Sequence, residues 1–216
     1  MPVTQPQHSI SENPEALVKA PNSMTEQVQP LFVGSDIYRN AAFGRNHPLN
    51  IVRHAAVVDL LTMLGWLSDE NFRESDPASV DQLVEFHDRA YLRALQYANS
   101  TGVVEPQVRE RYQVGTFENP LFEGLFERAA MTVGGSILAA ELAADGHVVF
   151  HPTGGTHHGR PDRAAGFCYL NDPVFAVMPL LRQGSARVMY VDLDAHHGDG
   201  VEDAFYDEPR VTTVSI

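Results

Sequence analysis

Of 216 residues only one, Cys168, is a cysteine, so no internal disulfide can form. Cations are scarce too. Fifteen Lys and Arg against 28 Asp and Glu leave a net charge of −13, which speaks against a nucleic-acid backbone or an anionic membrane as a direct partner. A cationic substrate or a basic protein tail would instead be steered favourably. No cationic stretch followed by an apolar one opens the chain, so neither export nor membrane insertion is indicated and the cytoplasm is the expected compartment. Internal repeats are absent, and nothing marks a second domain. What is present is ordinary: 44% hydrophobic and 20% charged residues, over a length that can bury one sizeable core.

Residues 1–30 carry five prolines among polar side chains and little to bury, which predicts a flexible extension before one domain over 31–216. Within that domain "LFVGSDIY" (31–38) predicts a first strand, and 47–67 has helical apolar spacing. Asp76-Pro77 predicts a helix start before a single helix over 78–98. A longer helix over 121–144 is expected to end at Asp145-Gly146, followed by the short strand "HVVFHP". Asp172-Pro173 opens another helix, stopping near Gly184 and kinked or shortened by Pro179. Two β-branched runs, "RVMYVDLD" and "VTTVSI", come last. Strands apolar on both faces that alternate with helices predict an α/β fold, its parallel sheet covered on each side and its ligand site beyond the strands' carboxyl ends.

One segment is anomalous at that very place. "YVDLDAHHGDG" (190–200) packs three aspartates and two histidines behind a buried strand, where unpaired charge costs several kcal/mol. Side chains two apart on a strand share a face, so Asp192, Asp194 and His196 can point together, with Gly198 and Gly200 allowing a sharp turn afterwards. A calcium loop fits poorly, because its sixth position would be His197 rather than glycine. Carboxylate with imidazole suits zinc or a similar transition metal. An internally hydrogen-bonded turn without metal is the plainer alternative. A second pair, His157-His158, in the glycine-rich "HPTGGTHHGRPDRAAGFCYLND" (151–172), weighs against it, since two strands would then deliver His-His to one sheet edge.

With both segments in view, the chain resembles the histone deacetylase family, which includes acetoin-utilisation deacetylases and acetylpolyamine amidohydrolases. "GGTHHGRPDRAAGFCYLND", "VMYVDLDAHHGDGVEDAFY" and "RVTTVSI" carry the likeness, with weaker support from "HPLNIVR", "VEFHDRAYL" and "YQVGTFENPLFEGLFERAAMTVGGS". The resemblance implies an arginase-deacetylase fold, a central mostly parallel sheet with helices on both faces, that hydrolyses an acetyl amide at one Zn²⁺ or Fe²⁺. It makes Asp194 and His196 metal ligands. His157 becomes the proton-transfer residue beside the reacting water, oriented by Asp192, and His158 a second one paired with Asp199. Gly166 and Phe167 would line a narrow channel for an acyl-lysine chain. A structural potassium ion would sit on oxygens of Asp192, Asp194, His196, Ser215 and Ile216. The implied substrate is an acetylated lysine or another acetylated amine.

Two departures from the family pattern stand out. Where many relatives place a rim aspartate, the segment "FHDRAY" aligns Arg89, with Asp88 beside it. The third metal ligand, an aspartate, and the transition-state tyrosine belong to family segments that would lie after residue 216. The 216 residues are therefore expected to be the N-terminal part of a longer catalytic domain, with weak metal binding, poor solubility and no turnover of their own. Two other functions remain in competition: an arginase-like binuclear manganese hydrolase, which would need a carboxylate where Gly198 stands, and a non-catalytic binding module for acetyl-lysine or polyamine.

Overall fold

The computed structural model describes residues 30–40 and 52–216. Apart from Pro30 the expected N-terminal extension lies outside the described residues, as does 47–51, the start of the first predicted helix. The first strand, β1 (Leu31–Gly34), is buried along its whole length and gives way to a 3-10 turn over Asp36–Arg39. The helix α1 (Arg53–Met63) follows, then the three-residue strand β2 (Phe72–Glu74). β2 and β3 (Val149–Phe150) flank β1 in parallel. A second parallel pair joins β4 (Val188–Asp192) to β5 (Val211–Ser215), with Asp192 opposite Ser215.

The predicted helix over 78–98 is in fact two. α2 (Val80–Leu83) starts two residues later than expected, from a Ser79–Gln82 capping box, and α3 (Arg89–Thr101) begins after a break. Between them His87 is buried against the loop that carries His157. Its Nε2 accepts the Asn171 N–H at 3.1 Å, its Nδ1 donates to the Arg160 carbonyl at 3.0 Å, and Asp88 N–H donates to Pro161 O at 2.8 Å. Those bonds replace the helical ones that periodicity predicts. Once restarted, α3 buries Tyr91, Leu92, Leu95 and Ala98, a spacing of one helical face, and each fully buried large side chain contributes about 1.5–3 kcal/mol.

A short helix, α4 (Pro106–Tyr112), leads to the long α5 (Leu125–Ala144), which the apolar pattern predicts well. Gly134 and Gly135 let α5 come close: a Cβ at Gly134 would lie 1.8 Å from Asp76 O, and one at Gly135 2.3 Å from the His151 ring. α6 (Asp172–Arg182) packs along α5 and runs through Pro179 without ending there. Finally α7 (Asp199–Phe205) covers β4 and β5 through Val201 and Phe205, beside Val174 and Val177 of α6. The opposite face stays open among the described residues: Met189, Val191 and Leu193 are exposed. No helix of the described residues is long and apolar enough to cross a membrane.

Candidate active site

Two loops meet at the carboxyl ends of β3 and β4. The first, 151–171, is tied down by the buried Asp172 carboxylate, which accepts from Ser136 Oγ at 2.6 Å, Gly155 N–H at 3.1 Å and Thr156 N–H at 2.7 Å. Asn171 adds donations from its amide to His157 O and Gly159 O. The second loop follows β4, and here the expectation of a continuing strand is corrected. Extension ends at Asp192, whose Oδ1 accepts the Asp194 N–H at 3.0 Å; Asp194 Oδ1 then accepts the His196 N–H at 2.8 Å. Two successive carboxylate-to-backbone turns thus curl the segment. As a result Asp192 points inward at 6% side-chain exposure, while Asp194 and His196 face the cavity together at 54% and 78%.

His157 Nδ1 lies 2.6 Å from Asp192 Oδ2, and His158 Nδ1 lies 2.7 Å from Asp199 Oδ1. The two rings sit 4.0 Å apart. Burial pushes the Asp192 carboxyl up, but hydrogen bonds from Tyr190, His157 and the Asp194 N–H outweigh it and hold Asp192 below the ordinary carboxylate range. Asp199 behaves likewise: burial raises it, and the His158 hydrogen bond, the Arg160 charge and the Gly200 N–H bring it down. Both carboxylates are therefore acceptors only. Each Nδ1 must carry a proton, so that in the neutral imidazole Nε2 is the bare nitrogen left for the cavity.

That cavity encloses about 840 Å³ and is lined by His157, His158, Asp194, His196 and Asp199 together with Gly166 and Phe167. The structure thus brings the expected proton-transfer, metal and channel residues to one place. Phe167 adopts φ +66°, a strained conformation for a bulky residue, and its N–H donates to the buried Asn119 at 2.9 Å. Gly166 is required beside it, since its φ is +53° and a Cβ would lie 2.3 Å from the His158 ring. Gly198 and Gly200 serve differently from expectation: neither has positive φ, and both permit close approach instead. A Cβ at Gly198 would meet Asp192 Oδ2, and one at Gly200 the His157 carbonyl, each at 2.3 Å.

Asp194 Oδ1 and His196 Nδ1 converge to 3.0 Å, a spacing that two ligands of one ion can adopt when each binds at about 2.0–2.2 Å. Their chemistry fits a transition metal. Among the described residues no third His, Cys, Asp or Glu joins them in a metal-binding group. Ser215 and Ile216 meet this turn from β5: the Ser215 hydroxyl accepts the Gly198 N–H at 3.1 Å, and the Ile216 N–H donates to Asp192 O at 3.1 Å.

Arg89, at the aligned rim position, pairs with Asp81 across 3.8 Å and, like Asp88, does not line the cavity, whereas Glu118 does. Cys168 is buried with its thiol pushed up to about 12 by burial, and it packs as a small apolar residue. Several site residues escape a sequence reading altogether. Tyr190 donates to Asp192 Oδ2 at 2.6 Å, and its place two residues earlier on the same strand face is the signal that points to it. Arg160, Asn171, Asp172 and His87 act across the chain, where no spacing rule reaches.

The histone deacetylase domain matches residues 47–216. Among curated proteins the chain is 37% identical over 188 residues to the acetoin utilization protein AcuC of Bacillus subtilis, covering 86% of this chain and 48% of that protein. To histone deacetylase 8 of Xenopus tropicalis it is 35% identical over 196 residues, covering 89% and 52%. Among solved structures, an HDAC homolog complexed with SAHA superposes with a TM-score of 0.82 at 34% identity, over 87% of this chain and 50% of that one. The homolog from Aquifex aeolicus gives the same values. The chain thus spans about half the length of the relatives it matches.

Proposed function

Because the chain belongs to the histone deacetylase family, we propose that its cavity carries the proton-transfer half of an active site that hydrolyses an acetyl amide, on an acetylated lysine or a related acetylated amine. The observation that carries this reading is the pair of Nδ1-to-carboxylate hydrogen bonds placed side by side, at 2.6 and 2.7 Å, with both Nε2 atoms left for one cavity. His157, backed by Asp192, takes the proton of the attacking water. The same proton is then returned from His157 Nε2 to the leaving amine nitrogen, with His158, backed by Asp199, as a second proton-transfer residue beside it. Such positioned groups typically contribute about 10²–10⁴-fold each. Gly166 and Phe167 give the channel a flat apolar wall against the methylenes of an acyl-lysine.

Asp194 and His196 would hold a Zn²⁺ or Fe²⁺ ion, which when bound polarises the acetyl carbonyl and acidifies water. A potassium ion is proposed on the oxygens of Asp192, Asp194, His196, Ser215 and Ile216, supported by the register that sets Ser215 opposite Asp192. A binuclear arginase-like centre is disfavoured, because a carboxylate at position 198 would push into Asp192. A binding module for acetyl-lysine or polyamine is the second reading, favoured for these 216 residues by the two-donor metal set among those described. Turnover decides between them. Hydrolysis of acetyl-lysine peptide and acetylpolyamine by the natural gene product, abolished in its His157→Ala variant, supports the deacetylase; ligand binding without any hydrolysis supports the module.

A further inference from the structure

The two histidine–carboxylate pairs differ in what holds the carboxylate. Both oxygens of Asp192 are engaged inside the protein, by Tyr190 OH and His157 on one and by the Asp194 N–H on the other. Asp199 is less enclosed, with the neighbouring Gly200 N–H as a backbone donor and a side chain that is 42% exposed. A carboxylate this wet turns its oxygens toward solvent at little cost. What meets its second oxygen, Oδ2, is one arm of Arg160, whose side chain is only 16% exposed. The other arm of the guanidinium lies on Asp203 Oδ2. The Arg160 backbone is fixed as well, its N–H on Arg163 O at 3.0 Å and its carbonyl on the buried His87 ring at 3.0 Å.

We infer that Arg160 is the positioning residue of the His158 pair: by occupying Asp199 Oδ2 it turns Oδ1 onto His158 Nδ1 and keeps the bare Nε2 toward the cavity. The planar fork suits the task, since it grips two carboxylates at a fixed angle, whereas a lysine supplies a point charge with no direction. Asp203, 68% exposed, anchors the far arm and stops the fork from swinging away with solvent. The inference rests on the proposed role of His158 in proton transfer, yet the tautomer it specifies belongs to the resting protein, whether or not substrate turns over.

The test uses the ¹⁵N-labelled natural gene product at a pH where imidazoles are neutral. Long-range proton–nitrogen spectra report which ring nitrogen of each histidine carries hydrogen. Wild type is expected to show His158 and His157 both protonated on Nδ1. In Arg160→Met, His158 becomes a mixture of both tautomers while His157 is unchanged; Arg160→Lys gives an intermediate mixture. Asp203→Asn shifts His158 the same way to a smaller extent. An arginine that merely staples the loop to α7 would lower the melting temperature and leave the His158 nitrogen pattern as in wild type, and that result in folded Arg160→Met overturns the inference. Should Arg160→Met not fold, the exposed Asp203→Asn decides, and an unchanged His158 pattern there overturns it equally. Failure of hydrolysis with these tautomer changes intact would refute the deacetylase reading alone.

Discussion

His157–Asp192 and His158–Asp199 use the same two functional groups at nearly the same distance, yet one pair is built into the core and the other onto its edge. Asp192 is walled in by its own strand through Tyr190 and by its own turn through Asp194. Asp199 opens a helix and is reached from a different loop. A carboxylate held by its own strand and turn is positioned by local geometry. The edge pair depends on a long-range ion pair, so its geometry can be altered without disturbing the core.

The largest effect expected from this contrast is on turnover. In the natural gene product His157→Ala should lower kcat by about 10²–10⁴-fold with metal still bound. His158→Ala should lower it less, and equal losses in steady-state assays would break the comparison. Next in size is acid sensitivity, which both pairs share, because His87 grips the loop carrying both histidines. Burial pushes His87 down to about 4, opposed weakly by the Arg160 and Pro161 carbonyls. The unfolded chain binds a proton more readily than the native one between pH 6.5 and 4. Stability is thus full above the ordinary histidine value and is lost as pH falls through that window, by up to roughly 3 kcal/mol. Denaturant melts should show this slope in wild type and lose it in His87→Gln.

Smaller again is Tyr190→Phe, which removes one hydrogen bond from a buried carboxylate at a cost of about 1–3 kcal/mol. Burial, then the neighbouring Asp192 carboxylate, push the Tyr190 phenol up, so it remains a donor throughout the working range and no pH rescue is expected. The ring nitrogens of His158 should be untouched in this variant, and a change there would show that the pairs are coupled. The smallest signal is metal uptake by the 216 residues. Two donors should bind zinc weakly, and Asp194→Ala with His196→Ala should abolish even that in elemental analysis, without changing either histidine pair.

Much of this site was legible because it is local. Asp192, Asp194 and His196 lie within five residues, and the second His-His block announces itself through its glycines. Asp194 and His196 do come together at the cavity, through carboxylate-to-backbone turns at Asp192 and Asp194 rather than along the assumed strand, while Asp192 points inward. The helix break at His87 was not legible. Its apolar periodicity continues across the gap, and the bonds that end the helix come from Arg160 and Asn171, more than seventy residues away. The roles of Gly198 and Gly200 were misread for a related reason, because close approach depends on Asp192 and His157 rather than on the glycines' own dihedral angles.

The burial of Cys168 gives the molecule a clock. A lone, buried thiol pushed up to about 12 by burial reacts slowly with alkylating agents, because only the thiolate attacks. The labelling rate then measures how often local opening exposes this buried side chain. With one cysteine in the chain, every modified molecule records that single event.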